Sequence, residues 1–154
     1  MKKIINILAL VIVALVATSC LKSNLEPLPN AQDADILSVH GVAFRWIADV
    51  KDPASGENKV LQASLTQKST IDKEQATVTI NASIPRGFPA DQLAAVEASK
   101  LVVTVNLPTA CRATPLDGAP ALGLSGDWTQ PRKYKLTAAD GTEKVWTITL
   151  TLSK

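Results

Sequence analysis

Alternation with a period of two constrains this chain most. In Ala76 to Ile84, "ATVTINASI", Val78, Ile80, Ala82 and Ile84 fall on one side and Thr77, Thr79, Asn81 and Ser83 on the other. Successive side chains of a strand point to opposite faces, so this window reads as a strand with one buried face. "KLVVTVNL", Lys100 to Leu107, repeats the pattern with Leu101, Val103, Val105 and Leu107 inward. Pro85 and Pro108 follow the two windows and cannot donate to a ladder, which ends both strands. The densest pattern lies in "DWTQPRKYKLTAADGTEKVWTITLTL", Asp127 to Leu152. Tyr134, Leu136 and Ala138 share one face of a first arm, and Trp146, Ile148, Leu150 and Leu152 one face of a second. Asp140-Gly141 between them signals a tight hairpin, because such turns need positive φ.

The remaining segments add strands and one exception. Ile36 to Trp46 reads as a strand interrupted at Gly41 by a bulge, and Asn58 to Ser69 as another. "DVKDPASGEN" between them is a loop by its Pro, Gly and Ser content. "FPADQLAAVEAS", Phe88 to Ser99, breaks the period, and its Pro89 and Asp91 suit one or two helical turns linking sheets. About seven short strands with turn signals between them predict an all-β sandwich with one short helical connection.

The amino terminus reads as something other than fold. Met1-Lys2-Lys3 is basic, Ile4 to Ala17 is apolar apart from Asn6, and "ATSC" ends at Cys20. This is the layout of a secretory signal, and the apolar run is short for a membrane span. Small residues at Ala17 and Ser19 before Cys20 resemble a bacterial lipobox. That resemblance implies a signal peptide at 1–19 and acylation of Cys20, with the membrane as partner through N-terminal acyl chains. An ordinary signal peptide cleaved near Ser19 is the plainer alternative. Residues 20–35, with mixed charge, two prolines and no periodicity, read as a flexible tether, leaving 36–154 as the domain. The expected location is the cell envelope, at the outer membrane. "LKSNLEPL" carries only Glu26 as an acid and lacks the acidic run that marks surface export in related lipoproteins. Lys2 and Lys3 account for the whole net charge of +2. The mature chain is therefore near neutral, which argues against nucleic acid as a partner.

From Leu101 onward the residues resemble the C-terminal half of an immunoglobulin-like domain common in exported lipoproteins of Bacteroidota. The matching positions are Ala113-Thr114-Pro115, Gly118, Asp127-Trp128-Thr129 with Pro131, Tyr134, Thr137-Ala138, Asp140-Gly141-Thr142 and Trp146. The likeness extends from about residue 36, and "ATVTINASIP" and "DQLAAVEA" suit the preceding strand and link. It implies an immunoglobulin-like β-sandwich of unassigned function, in lipoproteins associated with glycan capture. It supplies no catalytic residues. Residues 47–75 exceed what a compact copy of the module needs and are expected to add a hairpin.

Chemistry is sparse. His40 is the only histidine and sits on the Ser38 side of an alternation, so neither a zinc site nor a Ser/His/Asp constellation is legible. Cys111 has no partner once Cys20 is acylated and reads as a small apolar residue. Asp117, Asp127 and Asp140 suit turn chemistry, with a pair for glycoside hydrolysis as the competing reading. Asp49, Asp52 and Glu57 in one loop could offer oxygen ligands to calcium but match no loop spacing. No catalytic residue, metal site or cofactor is expected, and the chain is read as a non-enzyme. The tryptophans are the candidates for ligand contact. Trp146 alternates with Ile148 and Leu150 and reads as core. Trp46 is either core or an exposed platform, and Trp128 either a plug over the sandwich end or a sugar platform. Against a dedicated carbohydrate module stands an aromatic content of 4%. The functional expectation is a lipid-anchored binding or scaffold module accessory to glycan capture. The alternative is a structural or adhesive module that pairs with another envelope protein.

Overall fold

The computed structural model describes residues 32–154. Eight strands run in the order β1 (Ser38–Lys51), β2 (Asn58–Asp72), β3 (Thr77–Ser83), β4 (Leu101–Asn106), β5 (Arg112–Leu116), β6 (Ser125–Gly126), β7 (Arg132–Thr137) and β8 (Glu143–Ser153). Two 3-10 helices, Ala90–Ala95 and Ala98–Lys100, fill the link between β3 and β4. The protein is thus all-β, with eight strands where about seven were expected and 3-10 turns where a helical turn or two was read.

The strands form one curled sheet in the order β5-β7-β8-β3-β2-β1-β4-β6. Its curl comes from β2. The first half of β2 pairs with β1 from Asn58 to Leu65, and its second half pairs with β3 from Thr66 to Asp72. One continuous strand so carries the sheet from one layer of the sandwich to the other. β3 and β8 are parallel, with Val78, Ile80 and Ala82 beside Ile148, Leu150 and Leu152. The threonines of both strands take the other face, as the alternation predicted.

The interruption at Gly41 is a bulge. Val39 pairs with Val105 and Gly41 with Thr104, so His40 is the extra residue. The insertion shifts the parity of β1, which is why Val39, Val42 and Phe44 all reach the core although an unbroken period would separate them. Apolar burial then supplies the driving force of the fold. Trp128, Trp146, Tyr134, Ile36, Ile80, Leu101, Leu136 and Ile148 have almost no exposed surface.

Three boundaries differ from the sequence reading. The expected loop at Asp49–Asn58 is shorter, because β1 continues to Lys51 and the turn is confined to Asp52–Glu57. There Asp52 N–H donates to Glu57 O and the Asp52 carboxylate accepts from the N–H groups of Ala54 and Ser55. The β7–β8 hairpin closes at Thr137 and Glu143, so its connection spans residues 138–142 rather than Asp140-Gly141 alone. Gly141 still has φ +90° there, a conformation that favours glycine. The tether reading also extended too far, since Ala34 is buried and Asp35 is paired with Lys144 and Lys73. Residues 1–31, which hold the signal reading and Cys20, lie outside the described residues.

A distal ribbon and its groove

β1 gives the molecule two poles. Its start lies beside the end of β4, where Leu37 N–H donates to Asn106 O. At about 3.3 Å per residue its other end lies on the order of 45 Å away. At the near pole the chain is fastened by Ala34 O, which accepts from Trp146 Nε1 at 2.9 Å, and by Asp35, whose carboxylate accepts from Lys144 Nζ at 2.7 Å. The Lys144 hydrogen bond holds the Asp35 carboxyl below the usual carboxylate range.

At the far pole β1 and β2 extend as a two-stranded ribbon. β4 pairs with β1 only as far as Phe44, and β3 pairs with β2 only from Thr66 onward. Beyond those points the ribbon's outer edges carry no strand among the described residues. Its cross-strand pairs include Trp46 with Leu61 and Ile47 with Val60. Trp46 is half-buried and stacks on Phe44, with ring centroids 6.0 Å apart. Ile47 and Val60, on the opposite face, are 72% and 60% exposed. A groove of about 590 Å³ runs between the ribbon and the link to β4, lined by Trp46, Ala48, Val50, Leu61, Pro89 and Gln92 among others.

The sequence candidates divide sharply. Trp46 does line an open groove. Trp128 does not: it is fully buried, its Nε1 donates to Leu101 O at 3.0 Å, and it stacks on Tyr134. The sugar-platform reading of Trp128 is corrected here, because a ring with no exposed face cannot stack on a ligand. Trp146 is core as read, under Lys144, whose Nζ lies 5.1 Å from the ring centre.

The loop carboxylates serve turns. Asp127 accepts from the N–H and hydroxyl of Thr129 and pairs with Arg132. Asp140 accepts from both donors of Thr142. Those bonds, Thr129's and Thr142's before all, hold the two carboxyls low. Asp117 sits at φ +51° and pairs loosely with Lys133. Burial pushes the Cys111 thiol up, away from the thiolate that reactivity needs. Asp49 and Asp91 share the groove, but both are exposed, and Asp91 accepts from the Gln92 amide. Neither sits in the water-excluded setting that acid catalysis uses.

The ribbon's two-faced character was missed in the sequence. A signal existed: Trp46-Ile47 and Val60-Leu61 are adjacent apolar pairs inside strands, and adjacency puts one member on each face.

These features define an all-β, sandwich-like domain with an open groove at one pole. Residues 36–149 match the DUF5018-related family, and the chain belongs to that family. It is similar to the crystal structure of a Bacteroides fragilis protein designated as secreted, at 42% identity and a TM-score of 0.72, covering 82% of this chain and 100% of that one. A Bacteroides thetaiotaomicron protein designated a glycoside hydrolase shares 19% identity at a TM-score of 0.46, covering 84% of this chain and 28% of its own. That distance carries no argument. Among curated proteins none matches.

Proposed function

We propose that this chain is a non-catalytic, immunoglobulin-like binding module of the cell envelope, held by acyl chains on Cys20 and accessory to glycan capture. The observation that supports it most is the position of Trp46. A half-open indole lies in a groove with the Gln92 amide, at the pole opposite the point where the tether joins the domain. An aromatic face beside amide and carboxylate groups suits the apolar face and hydroxyls of a sugar ring. The secreted B. fragilis protein supports a place outside the cytoplasm. Binding to a glycan array, with loss in Trp46→Ala and no loss in a conservative Trp46→Phe variant, tests the reading. Uniform absence of binding removes it. Acylation is tested separately, by palmitate labelling of the full chain against Cys20→Ser.

A second reading has its own observation. The exposed aliphatic groups of Ile47, Val50, Val60 and Leu61, on a ribbon with unpaired edges, suit a protein partner that adds a strand. Crosslinking in intact cells, followed by recovery of a defined envelope protein and no glycan, favours this one.

A further inference from the structure

A second depression lies on the other face of the same strands, of about 450 Å³. Small residues make its floor: Gly41 and Ala43 of β1, Ser64 of β2 and Val102 of β4. Ala43 and Val102 are cross-strand partners, only 6% and 3% exposed, yet neither belongs to the core cluster. They are sunk beneath the side chains that rise around them.

One wall is Arg45 with Gln62, paired directly across the ladder. The guanidinium donates through Nε and Nη2 to Gln62 Oε1, at 3.3 and 2.9 Å. Its Nη1 and the Gln62 amide N–H groups make no hydrogen bond among the described residues. No carboxylate lines the depression, and none of the ion pairs among the described residues includes Arg45. His40 and Thr104 border the other side, with Gln67 below. Thr104 donates to Gly41 O. Gln67 makes a long 3.5 Å bond through Nε2 to Val39 O, while its Oε1 is buried without a partner. Gln67 shares the core-facing side of β2 with Leu65, opposite Gln62 and Ser64, so this amide lies beneath the depression rather than in it. The depression so presents a guanidinium with no counter-charge among the described residues, and its Nη1 and the neighbouring Gln62 amide are free to donate.

We infer that this depression binds a small hydroxylated carboxylate, of the uronic acid class. The planar fork of Arg45 matches a carboxylate in shape and charge. The Gln62 amide supplies further donors for the carboxylate or a ring hydroxyl. The choice of a sugar as the carrier of the carboxylate rests on the glycan reading above. The anion site does not, since Arg45 and Trp46 are adjacent in β1 and point to opposite faces.

Calorimetry on the full mature chain in detergent tests the site with five probes: galacturonate and glucuronate oligosaccharides, their two neutral counterparts, and acetate. The expected result is uronate binding at least tenfold tighter than the neutral sugar or acetate. Arg45→Gln and Gln62→Leu each weaken it tenfold or more, and Trp46→Ala leaves it unchanged. An unaltered melting temperature in the variants assigns the loss to the site. Equal binding of acid and neutral sugars, equal binding of acetate, or full affinity in Arg45→Gln overturns the inference. Neutral-glycan binding that depends on Trp46, with no uronate bound, sinks this site and leaves the distal groove standing. Uronate binding that depends on Arg45 and not on Trp46 upholds this site, and only loss of all neutral-glycan binding then sinks the groove.

Discussion

The closing hairpin β7–β8 and the distal ribbon β1–β2 are built from the same kinds of residue, yet they end in opposite states. In the hairpin, Tyr134 pairs directly with Trp146 and both are fully buried. Each polar atom there meets a backbone carbonyl: Tyr134 Oη donates to Pro120 O at 2.7 Å and Trp146 Nε1 to Ala34 O at 2.9 Å. In the ribbon, Trp46 and Ile47 pair with Leu61 and Val60, and Ile47, Val60 and Leu61 are exposed while Trp46 is only half-covered. The difference is what lies opposite. The hairpin faces a second layer of sheet, whereas the ribbon has outrun its layer, and two strands alone cannot bury their own faces. An apolar strand is therefore a core element or an interaction element according to whether a layer covers it.

The sharpest way to break this comparison is to truncate one aromatic in each region. Trp146→Ala is expected to cost about 3–5 kcal/mol, as a large cavity opens in a close-packed core. Trp46→Ala is expected to cost about 1 kcal/mol, since its groove is already open to water. Urea unfolding followed by circular dichroism measures both. Equal losses would make the ribbon part of the core. Gly126→Ala comes next on the hairpin's side. A Cβ at Gly126 would lie 2.1 Å from Pro120 Cβ, in the segment whose carbonyl holds Tyr134. Overpacking of this kind costs about 1–3 kcal/mol.

Legibility in the sequence follows the same division. Where a strand has one buried face, the period of two exposed it, and Val78, Ile80, Tyr134, Leu136, Trp146 and Ile148 are all inward as read. The bulge was marked by Gly41, because glycine inside a strand signals a local break. Trp128 was open in the sequence because loop residues carry no period, and only the tertiary bond to Leu101 O decides its fate. The Arg45 depression was not legible at all. It depends on small residues from three strands, Ala43, Ser64 and Val102, meeting through a register that local pattern does not encode.

Titration separates the regions on a smaller scale. Burial pushes the Tyr134 phenol far above the ordinary tyrosine range. A group whose pKa is raised in the folded state contributes stability that is present below the unfolded value, about 10, and lost as the pH climbs beyond it. Native protein should therefore weaken above about pH 10, and Tyr134→Phe should flatten that fall while costing about 1 kcal/mol at neutral pH. Asp35 has the opposite sign. Its carboxyl is held low by Lys144, so its contribution is present above the unfolded value of about 4 and disappears as acid protonates it. Asp35→Asn should cost about 1 kcal/mol or less at pH 7 and reduce the loss of stability on acidification. Melting curves from pH 3 to 11 read both limbs. An acid limb unchanged in Asp35→Asn would mean that the near pole is fastened by Trp146 and Ala34 alone.

The smallest effect on stability is expected where the most apolar surface is exposed. Ile47→Ser with Val60→Ser removes a cross-strand pair whose members are 72% and 60% exposed. Little area leaves the buried state, so the change in unfolding free energy should stay within about 0.5 kcal/mol. Exposed aliphatic pairs on a ribbon do have a consequence in contact with other molecules, because unpaired edges and apolar faces favour association. The double variant should thus keep its melting temperature and lose any envelope partner recovered by crosslinking. A fall in stability comparable to that of Trp146→Ala would show that another part of the chain covers this face. The ribbon would then be a third edge of the core rather than its one outgrowth.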